Sequence, residues 1–153
     1  MTKSSVLSMT IAGALIAALP LAATAQSAFA KKEDAIKYRQ SAFALMGAHM
    51  GRIGAVTKGE APFNAAEVQK SAALIATLST LPWEAFGPGT EGGKAKPAIW
   101  KEMDKVKGGA DKFMKAAADL NTAAKSGNLD QIKKAFGATG QTCKACHDSY
   151  KDK

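Results

Sequence analysis

The 153-residue sequence predicts an all-α protein, an antiparallel four-helix bundle. Four segments repeat apolar residues every three or four positions, which is the spacing of one helix face. No segment shows the alternation of apolar and polar residues that is typical of a half-buried strand. Most connections between the four segments are short, which favours neighbouring helices that run in opposite directions.

The composition is that of a single globular domain. Hydrophobic residues make up 46% of the chain, which is too apolar for a disordered protein, and the length is too short for a multidomain enzyme. Lysine and arginine number 21 against 13 acidic residues, for a net charge of +8. The lysines are scattered through helical patterns without interleaved aromatics. This distribution favours a solvated surface and no nucleic-acid partner.

The first 25 residues are predicted to be a secretory signal peptide. One charge, Lys3, precedes a long apolar run, and the small-x-small pattern of a cleavage site follows at positions 23–25 and again at 28–30. Cleavage after Ala25, or as late as Ala30, would leave residues 26–153 as one four-helix domain. An uncleaved membrane anchor is the alternative, because the stretch from residue 4 to residue 30 carries no charge.

Past this leader, no apolar run is long enough to cross a membrane. We therefore expect the mature protein to be exported to the periplasm, with no contact to the membrane once the signal has been cleaved.

The first two predicted helices have clear boundaries. The first runs from about Asp34 to Val56, and the second begins after Asn64, a favourable N-cap residue with Glu67 three positions later. Pro82 ends the second helix. The apolar positions of the first helix are Ile36, Phe43, Met46, Met50 and Ile53.

The third helix is predicted to begin after Pro97, and the fourth after Asn128, its N-cap. The pair Gly108-Gly109 interrupts the pattern and lowers helix propensity inside the third helix, which permits a local bend there. The apolar positions of the third helix are Ile99, Met103, Val106, Ala110, Phe113, Ala117, Leu120 and Ala124. Those of the fourth are Leu129, Ile132, Phe136, Thr139, Cys143, Cys146 and Tyr150.

The connection between the second and third helices, residues 82–96, is longer than usual for a bundle. It carries two large aromatic side chains, Trp83 and Phe86, between turn residues. Two interpretations are equally compatible with the sequence: the loop packs over a bound group, or it only closes the end of the core.

The motif Cys143-Lys144-Ala145-Cys146-His147 is the C-x-x-C-H pattern of covalent haem attachment. At 100° per residue, both cysteines and His147 fall within an arc of about 100° on one helix. Two thiols can then form thioethers with the two vinyl groups of haem, while the imidazole reaches the iron. We therefore predict one covalently bound haem c, tethered by Cys143 and Cys146, with His147 as an axial ligand of the iron.

Four other interpretations of the motif remain open. A thioredoxin-like redox pair is normally found at a helix N-terminus beside strands, whereas this motif comes late in a helix. A zinc site requires four ligands, and the chain has only two cysteines and two histidines besides its carboxylates. The cysteines could also form a simple disulfide or be ordinary small core residues.

The mature chain resembles the cytochrome c′ family, the class II c-type cytochromes. The resemblance rests on three segments: KYRQSAF at 37–43, LPWEAFGPGTEGG at 81–93 and CKACHDSYK at 143–151. It implies that Arg39 and Gln40 approach the haem propionates and that Phe43 covers the distal face. It also implies haem contacts from Trp83, Phe86, Glu91 and Lys151, and a homodimer formed through the first two helices.

Two positions depart from the family pattern. The distal residue is often leucine in relatives and is the bulkier Phe43 here. The basic residue four positions after the histidine is usually arginine and is Lys151 here. Ligand access to the iron and hydrogen bonding beside His147 are the properties that these two changes would alter.

The candidates for a sixth iron ligand are Met46, Met50, Met103 and His49. Methionines at core spacing are typical fillers of a core, and His49 is predicted to point to solvent. We therefore expect a five-coordinate, high-spin iron facing the phenyl ring of Phe43.

Two functions follow from such an iron: one-electron transfer with a redox partner, or binding and sequestration of nitric oxide, with carbon monoxide as a further gas ligand. An enzyme is the weakest interpretation, because the distal side offers no evident acid or base.

Overall fold

The computed structural model describes residues 28–153, and the predicted signal peptide of residues 1–25 lies outside this range. The helices are α1 (Lys32–Thr57), α2 (Ala65–Leu78), α3 (Ala98–Lys101), α4 (Met103–Lys125) and α5 (Leu129–Tyr150). A 3₁₀ helix, Pro82–Phe86, precedes α3. Within residues 28–153, the β-type pairing is a single isolated bridge between Ala95 and Lys151. None of the helices described is both long and apolar enough to span a membrane.

The four long helices form the predicted bundle. α2 packs against α1 and α4, α4 packs against α5, and α1 and α5 close the ring with the sparsest contact of the four pairs. The predicted loop of residues 82–96 lies against α1 through its 3₁₀ helix. The predicted all-α four-helix fold is therefore confirmed.

Both predicted N-caps are present. The Asn64 side chain accepts a hydrogen bond from the Glu67 backbone N–H at 3.2 Å. The Asn128 side chain accepts from the N–H groups of Asp130 and Gln131, both at 3.0 Å. Each cap satisfies backbone donors that have no partner inside the helix, which fixes where α2 and α5 begin.

The third predicted helix is interrupted at Glu102 rather than at Gly108-Gly109. Glu102 leaves helical geometry, with φ −122° and ψ 35°, whereas both glycines lie inside α4. The Glu102 carboxylate accepts a hydrogen bond from the Tyr150 hydroxyl at 2.7 Å and lies 3.2 Å from the Lys105 ammonium. Glycines lower helix propensity without forcing a break, whereas these tertiary contacts fix the position of Glu102.

The core consists of two apolar clusters at opposite ends of the bundle. The closed-end cluster joins all four long helices through Ile53, Val68, Ala72, Ile75, Ala117, Leu120, Ala124 and Ile132. The second cluster is aromatic and surrounds Phe86, Ile99 and Val106. On α5, Ile132 and Thr139 are buried, but Cys143, Cys146 and Tyr150 are only half-buried. The predicted apolar face of α5 therefore borders open space near its C-terminus.

Leu120 is completely buried in the closed-end cluster. Leu120→Ala should lower the free energy of unfolding by about 2–5 kcal/mol, because a cavity replaces buried methyl groups. Denaturant unfolding of the holoprotein measures the loss. Leu81→Ala is the matched control, since Leu81 is 36% exposed and loses the same atoms. Equal losses in the two variants would contradict this assignment of the core.

Candidate functional site

A cavity of about 660 Å³ lies between α1, α4, α5 and the 3₁₀ helix, and we call it the inner cavity. This volume is in the range of small-molecule and cofactor sites, about 300–1,000 Å³. Nine of the ten residues predicted to hold or contact the cofactor line it: Arg39, Gln40, Phe43, Trp83, Phe86, Cys143, Cys146, His147 and Lys151. The tenth, Glu91, is exposed and is not among the lining residues.

The C-x-x-C-H residues reach the inner cavity from the last two turns of α5. Both thiols are half-buried, and burial raises the pKa of Cys143 and of Cys146. The thiols are therefore protonated at neutral pH, whereas a thioredoxin-like pair depends on a lowered thiol pKa. The geometry favours tethering by these cysteines over redox chemistry between them.

His147 is exposed at the edge of the inner cavity. Desolvation lowers the pKa of His147, the positive charge of Lys151 lowers it further, and Asp148 opposes both effects. Its imidazole is therefore neutral at pH 7 and has a lone pair available for a metal ion.

Backbone contacts fix the end of α5. The Lys96 N–H donates to the Tyr150 carbonyl, and the Asp152 N–H donates to the Lys94 carbonyl, both at 2.9 Å. Together with the bond between the Tyr150 hydroxyl and Glu102, they hold the turn that follows His147. The histidine is thus placed by the loop of residues 94–96 and by the start of α4.

An aromatic cluster forms another wall of the inner cavity. The ring centroid of Phe43 lies 5.9 Å from that of Trp83 and 6.4 Å from that of Phe86. The Trp83 indole N–H donates to the Ser79 carbonyl at 2.6 Å, and that of Trp100, which contacts Phe86, donates to the Gly87 carbonyl at 3.1 Å. Since these donors are occupied, the aromatic wall presents hydrocarbon to the cavity.

The register of α1 against α5 places Phe43 at the level of His147. Gly54 of α1 lies beside Phe136 of α5, because a Cβ on Gly54 would be 3.2 Å from the Phe136 ring. The helices are antiparallel, so eleven residues back along α1 reaches Phe43 and eleven residues forward along α5 reaches His147. The phenyl group and the imidazole therefore belong to the same layer of the bundle.

Arg39 is the polar residue that organises the loop. Only 3% of its surface is exposed, and its guanidinium donates to the carbonyls of Ala85 at 2.6 Å, Thr90 at 2.7 Å and Gly92 at 2.7 Å. The guanidinium carbon also lies 4.7 Å from the centroid of the Phe86 ring. Burial lowers the pKa of Arg39, and Glu91 opposes this effect. Sequence reasoning placed Arg39 beside the propionates and missed its role in the loop.

The candidate sixth ligands separate into two groups. Met46 and Met50 line the inner cavity, whereas His49 and Met103 do not. The expectation that His49 points to solvent is wrong, because its Nδ1 lies 3.3 Å from the hydroxyl of buried Ser71 on α2. That expectation rested on the helical position of His49 relative to Ile36, and it did not account for the contact between α1 and α2.

Two glycines and a threonine, Gly109, Gly140 and Thr142, also line the inner cavity and were not predicted. A Cβ built on either glycine would meet nothing within 4 Å. The sequence pattern that could have indicated them is the presence of small residues beside an apolar helix face, because small side chains leave room for a bound group.

Residues 34–151 match the family described as Cytochrome C′. The chain belongs to the cytochrome c′ family. The cytochrome c′ of Alcaligenes xylosoxydans xylosoxydans is 50% identical over 125 residues, which cover 82% of this chain and 98% of that protein. The cytochrome c′ of Rubrivivax gelatinosus is 50% identical over 128 residues, which cover 82% of this chain and 99% of that protein.

Solved structures agree with the fold. Cytochrome c prime from Alcaligenes xylosoxidans, in a ferrous variant with bound NO, aligns with a TM-score of 0.78 at 51% identity, covering 82% of this chain and 98% of that one. The recombinant native protein from the same organism aligns with a TM-score of 0.78 at 50% identity, covering 82% of this chain and 99% of that one.

The cofactor of this chain is one covalently bound haem c, as in its family. The inner cavity fits this group, since it combines a large apolar volume with two thiols and a neutral imidazole on one helix. Among residues 28–153, no three His, Cys, Asp or Glu side chains gather as a site for a metal ion bound by protein alone.

The bonds from Arg39 to the loop can be tested by Arg39→Lys. This variant keeps the charge but lacks the planar guanidinium that reaches three carbonyls. Its free energy of unfolding should therefore be about 2 kcal/mol lower than that of the parent protein. Denaturant unfolding of the holoprotein gives the value. Arg52→Lys is the control, because Arg52 is exposed on the same helix. A loss no larger than the control's would contradict this role of Arg39.

Proposed function

We propose that this chain is an exported haem c protein whose iron has His147 as its single protein ligand, and that it carries single electrons and binds diatomic gases. The periplasm is the proposed compartment, since residues 1–25 have the pattern of a signal peptide and residues 26–153 form the mature domain. In this proposal the protein has no catalytic activity of its own.

The observation that carries the proposal is that His147 of α5 and Phe43 of α1 line the same inner cavity, on helices whose register is indicated by the contact of Gly54 with Phe136. A phenyl group has no lone pair to offer a metal ion. Met46 lies three residues further along α1 and Met50 seven, which are about 4.5 Å and 10 Å away at 1.5 Å per residue.

Each residue of the site then has a defined task. The two cysteines hold the cofactor covalently, and His147 supplies a neutral nitrogen. Phe43, Trp83 and Phe86 exclude water from the opposite face. When bound, haem supplies an iron that cycles between ferric and ferrous states and, when ferrous, binds diatomic gases.

The same wall determines which gas is retained. Bound oxygen is strongly polar and needs a hydrogen-bond donor, but the indole N–H groups of Trp83 and Trp100 are occupied by carbonyls. Nitric oxide and carbon monoxide depend less on such a donor, so we infer that they bind and that oxygen binds poorly. NO-bound structures of the Alcaligenes xylosoxidans protein support this inference.

Electron transfer and nitric oxide sequestration draw on different parts of the site. Exposure of His147, with Lys94 and Lys151 also lining the cavity, favours exchange of one electron with a redox partner protein at this edge. The apolar Phe43 wall favours sequestration of the gas as the alternative role.

A homodimer through α1 and α2 is part of the proposal. Leu45 on α1 and Leu74 on α2 are 51% and 37% exposed, so each of these two helices offers an apolar side chain to a second copy.

The visible absorption spectrum of the purified ferric holoprotein tests the ligand set. We expect a five-coordinate, high-spin spectrum at neutral pH, because Phe43 occupies the level at which a sixth ligand would lie. A low-spin spectrum with methionine or histidine as the sixth ligand would contradict the proposal. Met46→Leu tests whether Met46 binds the iron. If it does not, this variant should have the same high-spin spectrum as the parent protein.

Phe43→Ala should open the face opposite His147 and accelerate binding of carbon monoxide to the ferrous protein. Stopped-flow mixing measures the association rate. Phe63→Ala is the matched control, because Phe63 is 41% exposed and lies outside the inner cavity. If both variants bound the gas at the parent rate, Phe43 would not control access.

Deletion of the gene in its host separates the two roles. Increased sensitivity to nitric oxide with normal respiration would favour sequestration. A respiratory defect with normal nitric oxide sensitivity would favour electron transfer. Complementation with His147→Ala should fail in either case, since that variant lacks the proposed iron ligand.

A further inference from the structure

A second cavity of about 530 Å³ lies between α4 and α5, and we call it the outer cavity. It adjoins the inner cavity, because five residues line both: Val106, Gly109, Thr142, Cys146 and Tyr150. Cys146 is a tether of haem c, so the outer cavity borders the tethered side of the cofactor.

Glycines leave open the space between the two cavities. Gly108 lines the outer cavity alone, whereas Gly109 lines both. A Cβ built on either residue would meet nothing within 4 Å. A larger residue at either position would therefore place its side chain in open space. Both glycines lie within the continuous helix α4, where glycine lowers helix propensity and no turn requires it.

The lining of the outer cavity is suited to small uncharged molecules. Buried Val106 and exposed Ala138 and Ala145 give it apolar surface, and exposed Gln141 lies at its mouth. The Thr142 hydroxyl donates to the Thr139 carbonyl at 2.7 Å, and the Tyr150 hydroxyl donates to Glu102. The apolar surface offers dispersion contacts to a small molecule, and both hydroxyl donors are already occupied.

An organic anion is a less suitable occupant. Lys105 at this cavity is already paired with Glu102, with 3.2 Å between nitrogen and oxygen, and Lys112 is an exposed residue on a flexible stem.

We propose that the outer cavity holds uncharged diatomic gases and passes them to the haem beside Gly109. The passage lies between α4 and α5 and is separate from the Phe43 side, where α1 and the 3₁₀ helix meet. This inference rests on the proposed gas binding and adds to it a route and a holding site.

Gly108→Leu tests the proposal in the holoprotein. The leucine would fill the outer cavity from a position that does not line the inner one, so the ferric absorption spectrum should not change. The association rate of carbon monoxide, followed after flash photolysis, should fall several-fold. Gly137→Leu is the matched control, since Gly137 is exposed on α5, also has open space around it and lines neither cavity.

Crystals of the parent holoprotein pressurised with xenon provide a readout that does not depend on the iron. Xenon density in the outer cavity of the parent protein, and its loss in Gly108→Leu, would support the holding site. An empty outer cavity under xenon would overturn it, and an unchanged association rate in Gly108→Leu would overturn the passage.

Failure of the proposed function has a different signature. In that case the ferrous parent protein would give no spectral change with carbon monoxide, while xenon would still report on the outer cavity.

Discussion

The contact between α1 and α5 is the constraint on which the site depends. At one end of the bundle the two helices approach closely, because Gly54 has no side chain and the Phe136 ring occupies the space beside it. At the other end the 3₁₀ helix and its aromatic side chains pack against α1 beside the inner cavity. The bundle is therefore tightly packed where its core is aliphatic and open where C-x-x-C-H lies. A cofactor attached to α5 must occupy this open end.

Apolar surface stabilises a fold only when it is removed from water, and haem would bury the apolar lining of the inner cavity. The buried guanidinium of Arg39 fixes the loop beside this cavity through three carbonyl groups. A buried cation is tolerated only when it is well hydrogen-bonded, and loop carbonyls without partners would themselves be unfavourable. Haem then supplies apolar contacts that the protein alone lacks, so cofactor binding and stability of the open end are linked.

Local rules were sufficient to predict much of this molecule. Helix periodicity, the Asn64 and Asn128 caps and the C-x-x-C-H motif each depend on residues close together in the chain. The errors arose where distant residues decide the outcome. The break at Glu102 depends on Tyr150, 48 residues away, and the contact of His49 depends on Ser71, 22 residues away. The bonds from Arg39 span 46 to 53 residues, so no periodicity reveals them.

The five-coordinate iron that we propose would depend on the register of the helices more than on composition. Methionine and histidine residues are present on α1 in numbers that would permit a six-coordinate centre. Whether they could reach the iron in the proposed site depends on how far α1 is shifted along α5. The contact of Gly54 with Phe136 restrains that shift. A shift of three residues along α1 would bring Met46 to the level that Phe43 now has, and one of six would bring His49 there. Close packing of the aliphatic end resists such a shift, because every side chain in that cluster would have to move with it. In the proposed site, packing at the aliphatic end would therefore help to set which α1 side chain faces His147.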